Sequence, residues 1–124
     1  MKFGTARQGK FREPKVKAKR PKLERHLEAA ANRYARDRGC LSRKMNGLGF
    51  RDWPDRLYLP PEGYANSPEG ESWWLWVEFK KPGEAPTPNQ TALHNSLLKR
   101  GTLVYVIDNI NQFKELLRRE WGIK

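Results

Sequence analysis

The sequence predicts an α/β fold in which a small mixed β-sheet is flanked by helices, in the order α-β-β-β-α-β-α. Three observations favour it: apolar residues at helical spacing near the start, an aromatic-rich run in the middle, and short apolar runs separated by Gly and Pro. With 124 residues, the chain is long enough for one domain with a single core and too short for two.

The first half is predicted to hold an arm, a helix and two strands. Residues 1–20 lack apolar periodicity and form a flexible basic arm, so the folded domain covers residues 21–124. Pro21 suits the first turn of a helix that Gly39 ends. Its apolar residues recur every three or four positions: Leu23, Leu27, Ala30, Ala31 and Tyr34. Short strands are expected over residues 40–45 and 55–59.

The second half begins with a loop over residues 60–70, which is rich in Pro and Gly. Residues 72–80 are rich in aromatic and branched side chains and give the clearest strand. Thr87 as N-cap and Pro88 at the first helical position begin a helix that Gly101 ends. A short buried strand over residues 102–107 precedes a last helix over residues 110–121, which buries Phe113, Leu116, Leu117 and Trp121.

Positive charge is concentrated at the start of the chain. The net charge is +11, and residues 1–22 hold nine basic residues against Glu13 alone, a net +8. Because basic side chains that neutralise phosphates release counterions, a polyanion is the expected partner. The arm residues predicted to contact it are Lys15, Lys17, Lys19 and Arg20. Charge alone does not separate DNA, RNA and acidic membranes, and a basic tail can also serve only solubility.

Several classes of protein are disfavoured by the composition. No apolar run approaches the roughly 20 residues of a membrane span, and the basic start lacks the apolar stretch of a signal peptide. Cys40, the one cysteine, is expected to be a buried small hydrophobe, since it has no disulfide partner and two histidines do not make a zinc cluster. No Gly-rich phosphate loop is present, so no nucleotide cofactor is expected. An intracellular protein without membrane attachment fits these features.

Three charged residues stand out on the predicted strands. Glu78 and Lys80 are two apart and share one face of the sheet, while the other face receives Leu75, Val77 and Phe79. Asp55 begins another strand. If the two strands are neighbours, two carboxylates and an ammonium converge. If the strand simply leaves the core, the pair is solvated.

A convergent trio of this kind suits hydrolysis of a phosphodiester. Mg²⁺ prefers oxygen ligands and is usually held by one or two carboxylates. The bound ion eases deprotonation of a water and stabilises charge on the phosphoryl oxygens. A lysine beside it can orient the water or stabilise the developing charge. Asp55 and Glu78 would supply the ligands and Lys80 the cation.

These residues also resemble a known pattern. Pro54-Asp55 followed by Glu78-Phe79-Lys80 is similar to the PD-(D/E)XK nuclease motif. Five stretches resemble its virus-type replication-repair nuclease (VRR-Nuc) branch: Leu23-Glu-Arg-His-Leu27, Glu78-Phe-Lys-Lys-Pro-Gly83, Pro86-Thr-Pro-Asn-Gln90, Leu97-Leu-Lys-Arg-Gly101 and Val104-Tyr-Val-Ile-Asp108. The match runs from residue 21 to about residue 117, and it implies a restriction-endonuclease-like core.

The resemblance implies roles for several side chains. Asp55 and Glu78 would bind Mg²⁺ or Mn²⁺, and the backbone carbonyl of Phe79 would complete the metal shell. Lys80 would be the catalytic lysine, and Gln90 would reach the site from the start of its helix. Asp52-Trp53 stands where family members often have a glycine, and the connection to Glu78 is long.

The acidic residue of the first helix is ambiguous. Glu24 and Glu28 are four apart on one helical face, so either can point at the site. The local pattern Leu-Glu-Arg-His-Leu favours Glu24, whereas the distance to Gly39 suits Glu28. Glu24 is preferred.

Residues around the trio are assigned with less support from the sequence. Lys44 and Arg56 are expected to contact phosphates. Trp74 and Trp76 share the face of Glu78, and they line either the cleft or a dimer interface. His94 lies one turn after Gln90 and is open to a DNA contact.

The expected function is therefore Mg²⁺- or Mn²⁺-dependent endonuclease cleavage of DNA in replication, repair or recombination. The resemblance implies a bacterial or phage protein in the cytoplasm of a bacterial cell or a phage-infected host. It also implies branched DNA, such as a four-way (Holliday) junction, as substrate. A homodimer is expected because two incisions need two sites and closed two-fold dimers are common. The alternative is a non-catalytic nucleic-acid-binding module that uses the basic arm.

Overall fold

A computed structural model describes residues 22–47, 51–64, 70 and 72–124. The predicted order of elements is confirmed, with three helices and four strands: α1 (Lys22–Asp37), β1 (Leu41–Lys44), β2 (Arg56–Leu59), β3 (Leu75–Phe79), α2 (Pro88–Lys99), β4 (Val104–Ile107) and α3 (Ile110–Trp121). The basic arm, with Lys15, Lys17, Lys19 and Arg20, lies outside the described residues. Within the described ranges, no helix combines the length and apolar character that crossing a membrane requires.

The four strands form one mixed sheet in the order β1-β2-β3-β4. β1 pairs antiparallel with β2, and β2 pairs antiparallel with β3, with Arg56 opposite Val77. β3 and β4 are parallel, with Glu78 opposite Val106. A parallel pair needs a crossover, and α2 supplies it between these two strands. The predicted α/β class and mixed sheet are therefore confirmed.

The core lies between one face of the sheet and the helices α1 and α3. Leu75, Val77 and Phe79 are fully buried on that face, so the predicted alternation of β3 is confirmed. They pack in one cluster with Tyr58 of β2 and Phe113 of α3. The four predicted core residues of α3 are all buried: Phe113, Leu116, Leu117 and Trp121. The opposite face of β3, which carries Glu78, is left for a site.

The buried stripe of α1 differs from the predicted one. Leu23 is 60% exposed, so its assignment to the apolar face was wrong. The buried residues are instead Glu24, Glu28, Ala31 and Ala35. These positions recur every three or four residues, and Leu23 is rotated by about 100° from Glu24 around the axis. The helix therefore turns two carboxylates inward, and these need partners among the strands.

Two strands differ from their predicted extent or burial. β3 begins at Leu75, and Trp73 and Trp74 before it are exposed. β4 was expected to be buried, but Val106 is exposed, because it pairs with Glu78 and lies on the face of the sheet away from the core. Ile107 is buried on its inner side.

The segment before β3 is fastened to the end of α3. The Ser72 backbone N–H donates to Oε1 of the buried Glu120 at 2.9 Å, and Trp121 Nε1 donates to the Ser72 carbonyl at 3.0 Å. A Cβ on Gly70 would lie 2.1 Å from the Glu120 carbonyl oxygen, so only glycine fits there. These contacts fix where the chain enters the strand that carries Glu78.

Cys40 is buried in the core cluster, which confirms the expectation of a small buried hydrophobe. Burial raises the pKa of its thiol to about 11, against a smaller opposing effect of Arg38. The thiol is therefore protonated at neutral pH and takes no part in nucleophilic chemistry.

Candidate active site

Asp55 and Glu78 face each other across neighbouring strands. The β2–β3 pairing has Arg56 opposite Val77, and one further residue in the same register brings Asp55 opposite Glu78. Oδ2 of Asp55 accepts a hydrogen bond of 2.7 Å from the Phe79 backbone N–H. The two side chains are almost inaccessible, with exposed fractions of 1% for Asp55 and 3% for Glu78. The predicted convergence of the two carboxylates is confirmed.

Lys80 brings a positive charge to the same place. Its Nζ lies 3.7 Å from Oε2 of Glu78, and the lysine is itself buried. A buried ammonium is costly unless an opposite charge is near, so this contact explains how Lys80 is tolerated. The interpretation of Glu78 and Lys80 as a solvated pair at the end of the strand is wrong.

Gln90 reaches Glu78 from the first turn of α2. Thr87 is the N-cap, and its side chain accepts from the Gln90 backbone N–H at 3.1 Å. The Gln90 side chain completes the capping box, because its Oε1 accepts from the Thr87 N–H at 2.9 Å. Its Nε2 then donates to Oε2 of Glu78 at 3.0 Å. One side chain thus fixes both the helix start and the carboxylate.

His94 lies one turn further along α2 and also approaches Glu78. Its Nε2 is 3.9 Å from Oε1 of Glu78. Burial, and then the charge of Lys80, lower the pKa of His94, so the imidazole is neutral at neutral pH. The contact is then not an ion pair. The sequence suggested only a DNA contact for this residue, because its distance from Glu78 depends on how α2 packs.

Asn46 is a site residue that the sequence did not reveal. Its Nδ2 donates a short hydrogen bond to Oδ1 of Asp55, opposite the bond from Phe79. Its own Oδ1 is buried and has no hydrogen-bond partner among the described residues. A single Asn before a glycine turn carries no signal of this role, since the contact forms only when β1 and β2 pair.

The two α1 glutamates have different surroundings. Oε2 of Glu28 accepts from Arg56 Nε at 2.6 Å and lies 3.4 Å from Lys44 Nζ. The side chain of Glu24 is the neighbour that most strongly lowers the pKa of Glu84, with smaller contributions from Lys80 and Lys81 against the opposing effect of burial. Glu24 is therefore the one linked to the surroundings of Lys80, and Glu28 organises a basic pair. Glu84 was not singled out in the sequence.

The tryptophans divide into two groups. The Trp53 and Trp76 rings pack at 5.6 Å between centroids, on the face of β3 that carries Glu78. Trp74 is exposed, and its Nε1 donates to Thr102 Oγ1 at 3.0 Å. Trp76 is thus beside the site, whereas Trp74 lies toward the outer edge of the sheet near β4.

The oxygen donors at this site suit a hard cation. Asp55 and Glu78 offer two carboxylates, and the Phe79 backbone lies against Asp55. Mg²⁺ and Mn²⁺ bind carboxylate, carbonyl and water oxygens. Within the described ranges, no group of three or more His, Cys, Asp or Glu is arranged to hold a metal.

Comparisons with known proteins agree with this geometry. A solved structure described as a VRR_NUC domain superposes with a TM-score of 0.63 at 26% identity, covering 79% of this chain and 97% of that one. A protein of Acyrthosiphon pisum secondary endosymbiont phage 1, named "Putative nuclease p44", is 33% identical over 87 residues, which are 70% of this chain and 80% of the phage protein. The chain belongs to the VRR-Nuc nuclease family.

A second solved structure, described as a VRR_NUC domain protein, shares the fold of this VRR-Nuc chain. Its TM-score is 0.55 at 18% identity, covering 77% of this chain and 86% of the other. No protein-family model matches the sequence. The predicted family and its core are therefore confirmed by a relative in sequence and by neighbours in structure.

Proposed function

We propose that this VRR-Nuc chain is a divalent-metal-dependent endonuclease that hydrolyses phosphodiester bonds in DNA. The observation that carries the proposal is the pair of buried carboxylates, Asp55 and Glu78, with the Lys80 ammonium 3.7 Å from Glu78. Two buried carboxylates side by side are unfavourable without a compensating cation. Lys80 supplies one positive charge for the two. A bound cation would supply the remainder.

Mg²⁺ or Mn²⁺ is the cation that these donors fit, with Asp55, Glu78 and the Phe79 carbonyl as its ligands. When bound, such an ion lowers the pKa of a water molecule and stabilises negative charge on the phosphoryl oxygens. The ligands are held before the ion arrives, because Asn46 and the Phe79 N–H bond to Asp55. Gln90 holds Glu78 in the same way.

Lys80 would act on the phosphate itself. Its ammonium lies 3.7 Å from Glu78 and would stabilise charge on the oxygens of a phosphate bound there. It can also orient the attacking water by donating to it. Glu24, which is buried on the inward face of α1, is the acidic residue of that helix that we assign to this site.

Contacts to the rest of the DNA would come from basic residues outside the site. Lys44 is about half exposed and able to reach a phosphate, whereas Arg56 is more buried and bonds to Glu28 and Ser42. The arm residues would add sequence-independent attraction: Lys15, Lys17, Lys19 and Arg20.

We further propose that the working unit is a homodimer that cuts branched DNA, such as a four-way junction, in the cytoplasm of a bacterial cell or a phage-infected host. Cutting two strands of like polarity needs two sites related by a two-fold axis. The β4 edge offers an interface, because β4 pairs only with β3 among the described strands and carries the exposed Val106, with Leu103 and Trp74 nearby. Unpaired strand edges with apolar side chains favour pairing with another chain. The phage relative named as a nuclease supports the proposed setting.

The experiment is cleavage of labelled linear, flapped and four-way-junction DNA by the purified protein, with Mg²⁺, with Mn²⁺ and with a chelator. We expect metal-dependent cutting of branched DNA in preference to linear DNA. Sedimentation at micromolar concentration should give twice the 14.5 kDa chain mass. Binding without any cutting in either metal would leave a non-catalytic binding module instead. Monomers that cut linear and branched DNA equally would contradict the dimer and the selectivity.

A further inference from the structure

An open cleft of about 440 Å³ lies between the segment before β2 and the helix α2. This volume falls in the range of about 300–1,000 Å³ that small organic ligands occupy. The cleft does not include Asp55, Glu78 or Lys80. It is lined by Arg51, Asp52, Trp53, Asn89, Ala92 and Leu93.

The cleft adjoins the two segments that carry the carboxylates. Trp53, in its wall, packs against Trp76, which is two residues before Glu78 and on the same face of β3. Trp53 itself is two residues before Asp55. Trp76 and Glu78, two residues apart on β3, are separated by about 7 Å. The wall of the cleft therefore adjoins the carboxylates through the Trp53–Trp76 contact.

Two adjacent faces of α2 contribute to the cleft and to the site around Glu78. Asn89 and Leu93 are four residues apart and line the cleft. Gln90 directly follows Asn89, and His94 directly follows Leu93. Both Gln90 and His94 approach Glu78. Because α2 is capped and bonded to Glu78, the cleft has a fixed position relative to the carboxylates.

The chemistry of the lining suits a nucleobase better than a phosphate. The Trp53 ring offers a face on which a base can stack, and Leu93 adds apolar contact. The Asn89 amide and the Asp52 carboxylate can bond to the edges of bases, as Asn does with adenine and Asp with the cytosine amino group. A pocket for phosphate alone would gain nothing from Asp52, whose charge repels it. Arg51 can contact the backbone at the mouth of the cleft.

We propose that this cleft binds one unpaired nucleobase next to the phosphate that is cut. The inference rests on the proposed function, since it takes the Asp55–Glu78 pair as the position of that phosphate. The substrate feature that the site would select is a nucleotide out of the duplex, as at a flap, a fork or the centre of a junction. Fully paired DNA keeps its bases stacked and leaves the cleft empty, so it is bound less tightly and cut more slowly.

The test measures binding of flapped DNA by the Glu78→Gln protein in Mg²⁺, so that cleavage does not interfere. A single abasic nucleotide is moved one position at a time across the branch point. We expect the dissociation constant to rise about 10-fold at one position and little elsewhere. Adding Trp53→Leu should weaken binding of intact DNA by a similar factor, with no further loss on the DNA that is abasic at that position.

Asn89→Ala is a second variant, because this exposed side chain can be removed without opening the core. It should weaken binding of intact DNA and leave binding of the abasic DNA unchanged. Asn111→Ala, on the exposed face of α3, is the matched control and should change neither. Equal binding at every abasic position, or additive effects of Trp53→Leu and the abasic nucleotide, would overturn the proposal.

These measurements distinguish failure of the base-binding proposal from failure of the proposed nuclease activity. If the parent protein cuts no DNA in Mg²⁺ or Mn²⁺ but the position-specific binding pattern appears, the activity is wrong and the base-binding cleft stands. If the parent protein cuts branched DNA but no abasic position matters, the cleft is wrong and the activity stands.

Discussion

Lys80 is buried beside two carboxylates, and its ammonium is the charge in this site that is best placed to act on substrate. Replacing it with alanine removes a donor near the phosphate but leaves both proposed metal ligands in position. We expect Lys80→Ala to lower single-turnover cleavage about 10²- to 10³-fold. The Mn²⁺ concentration for half-maximal activity should shift much less, and a metal titration of the residual activity checks this.

A Lys80→Ala protein whose cleavage recovers fully at high Mn²⁺ would contradict this role, because the lysine would then act only through metal binding. Lys81→Ala is the matched control. It is the next residue, its side chain is exposed, and it should cut at close to the parent rate.

At the scale of the element, α1 presents two inward glutamates with separable roles. Glu28→Gln should destabilise the fold by about 1–2 kcal/mol, because Arg56 and Lys44 lose a charged partner while Arg56 remains partly accessible to water. Glu24→Gln removes the charge of Glu24 but keeps the size of its side chain beside Glu84, so we expect little loss of stability but a fall in turnover of about 10-fold or more. Denaturant unfolding and cleavage rates measured on both proteins test the assignment. The reverse pattern would assign Glu28 to the active site and Glu24 to the stabilising role.

The start of α2 gives another prediction, because Gln90 has two functions and Thr87 has one. Thr87→Ala removes only the cap and should cost about 1 kcal/mol of stability, with turnover nearly unchanged. Gln90→Ala should cost a similar stability and also reduce turnover about 10- to 100-fold, because Glu78 loses a hydrogen bond. Thermal unfolding together with cleavage rates distinguishes the two. Equal turnover in both variants would show that the bond to Glu78 has no functional role.

These elements also show what the sequence could and could not predict. The cap of α2 was predictable because Thr87, Pro88 and Gln90 are local signals. The edge position of β4 was not predictable, since the sequence of a short apolar strand looks the same whether the strand has one neighbouring strand or two. The exposure of Leu23 was missed because its spacing fits the apolar pattern, although Glu24 and Glu28 were expected to share one inward face.

The same distinction applies to the site. Asp55, Glu78 and Lys80 could be brought together from strand alternation and one assumption about neighbouring strands, which the β2–β3 pairing satisfies. Asn46, Glu84 and the approach of His94 depend on how loops and helices pack in three dimensions. No spacing in the sequence encodes these interactions.

At the scale of the whole molecule, the basic arm and the proposed active-site residues lie in separate parts of the chain. Deleting residues 1–20 removes eight basic residues and none of the proposed metal ligands. We expect weaker binding to DNA of any sequence, with a salt dependence shallower by about 0.9 for each phosphate that the arm neutralises. Binding measured over a range of salt concentrations checks this. An unchanged slope would show that the arm does not touch phosphates.

The central claim is that Asp55 and Glu78 hold a divalent ion that cuts DNA. Its most direct test is the cleavage rate of labelled branched DNA by the parent, Asp55→Asn, Glu78→Gln and the control Glu115→Gln, whose side chain is exposed and pairs with Arg118. With Mg²⁺ or Mn²⁺ we expect the parent and the control to cut alike, and the two site variants to lose about 100-fold or more. A chelator should abolish cutting by the parent. Cutting at the parent rate by Asp55→Asn or Glu78→Gln, or by the parent in a chelator, would contradict the claim.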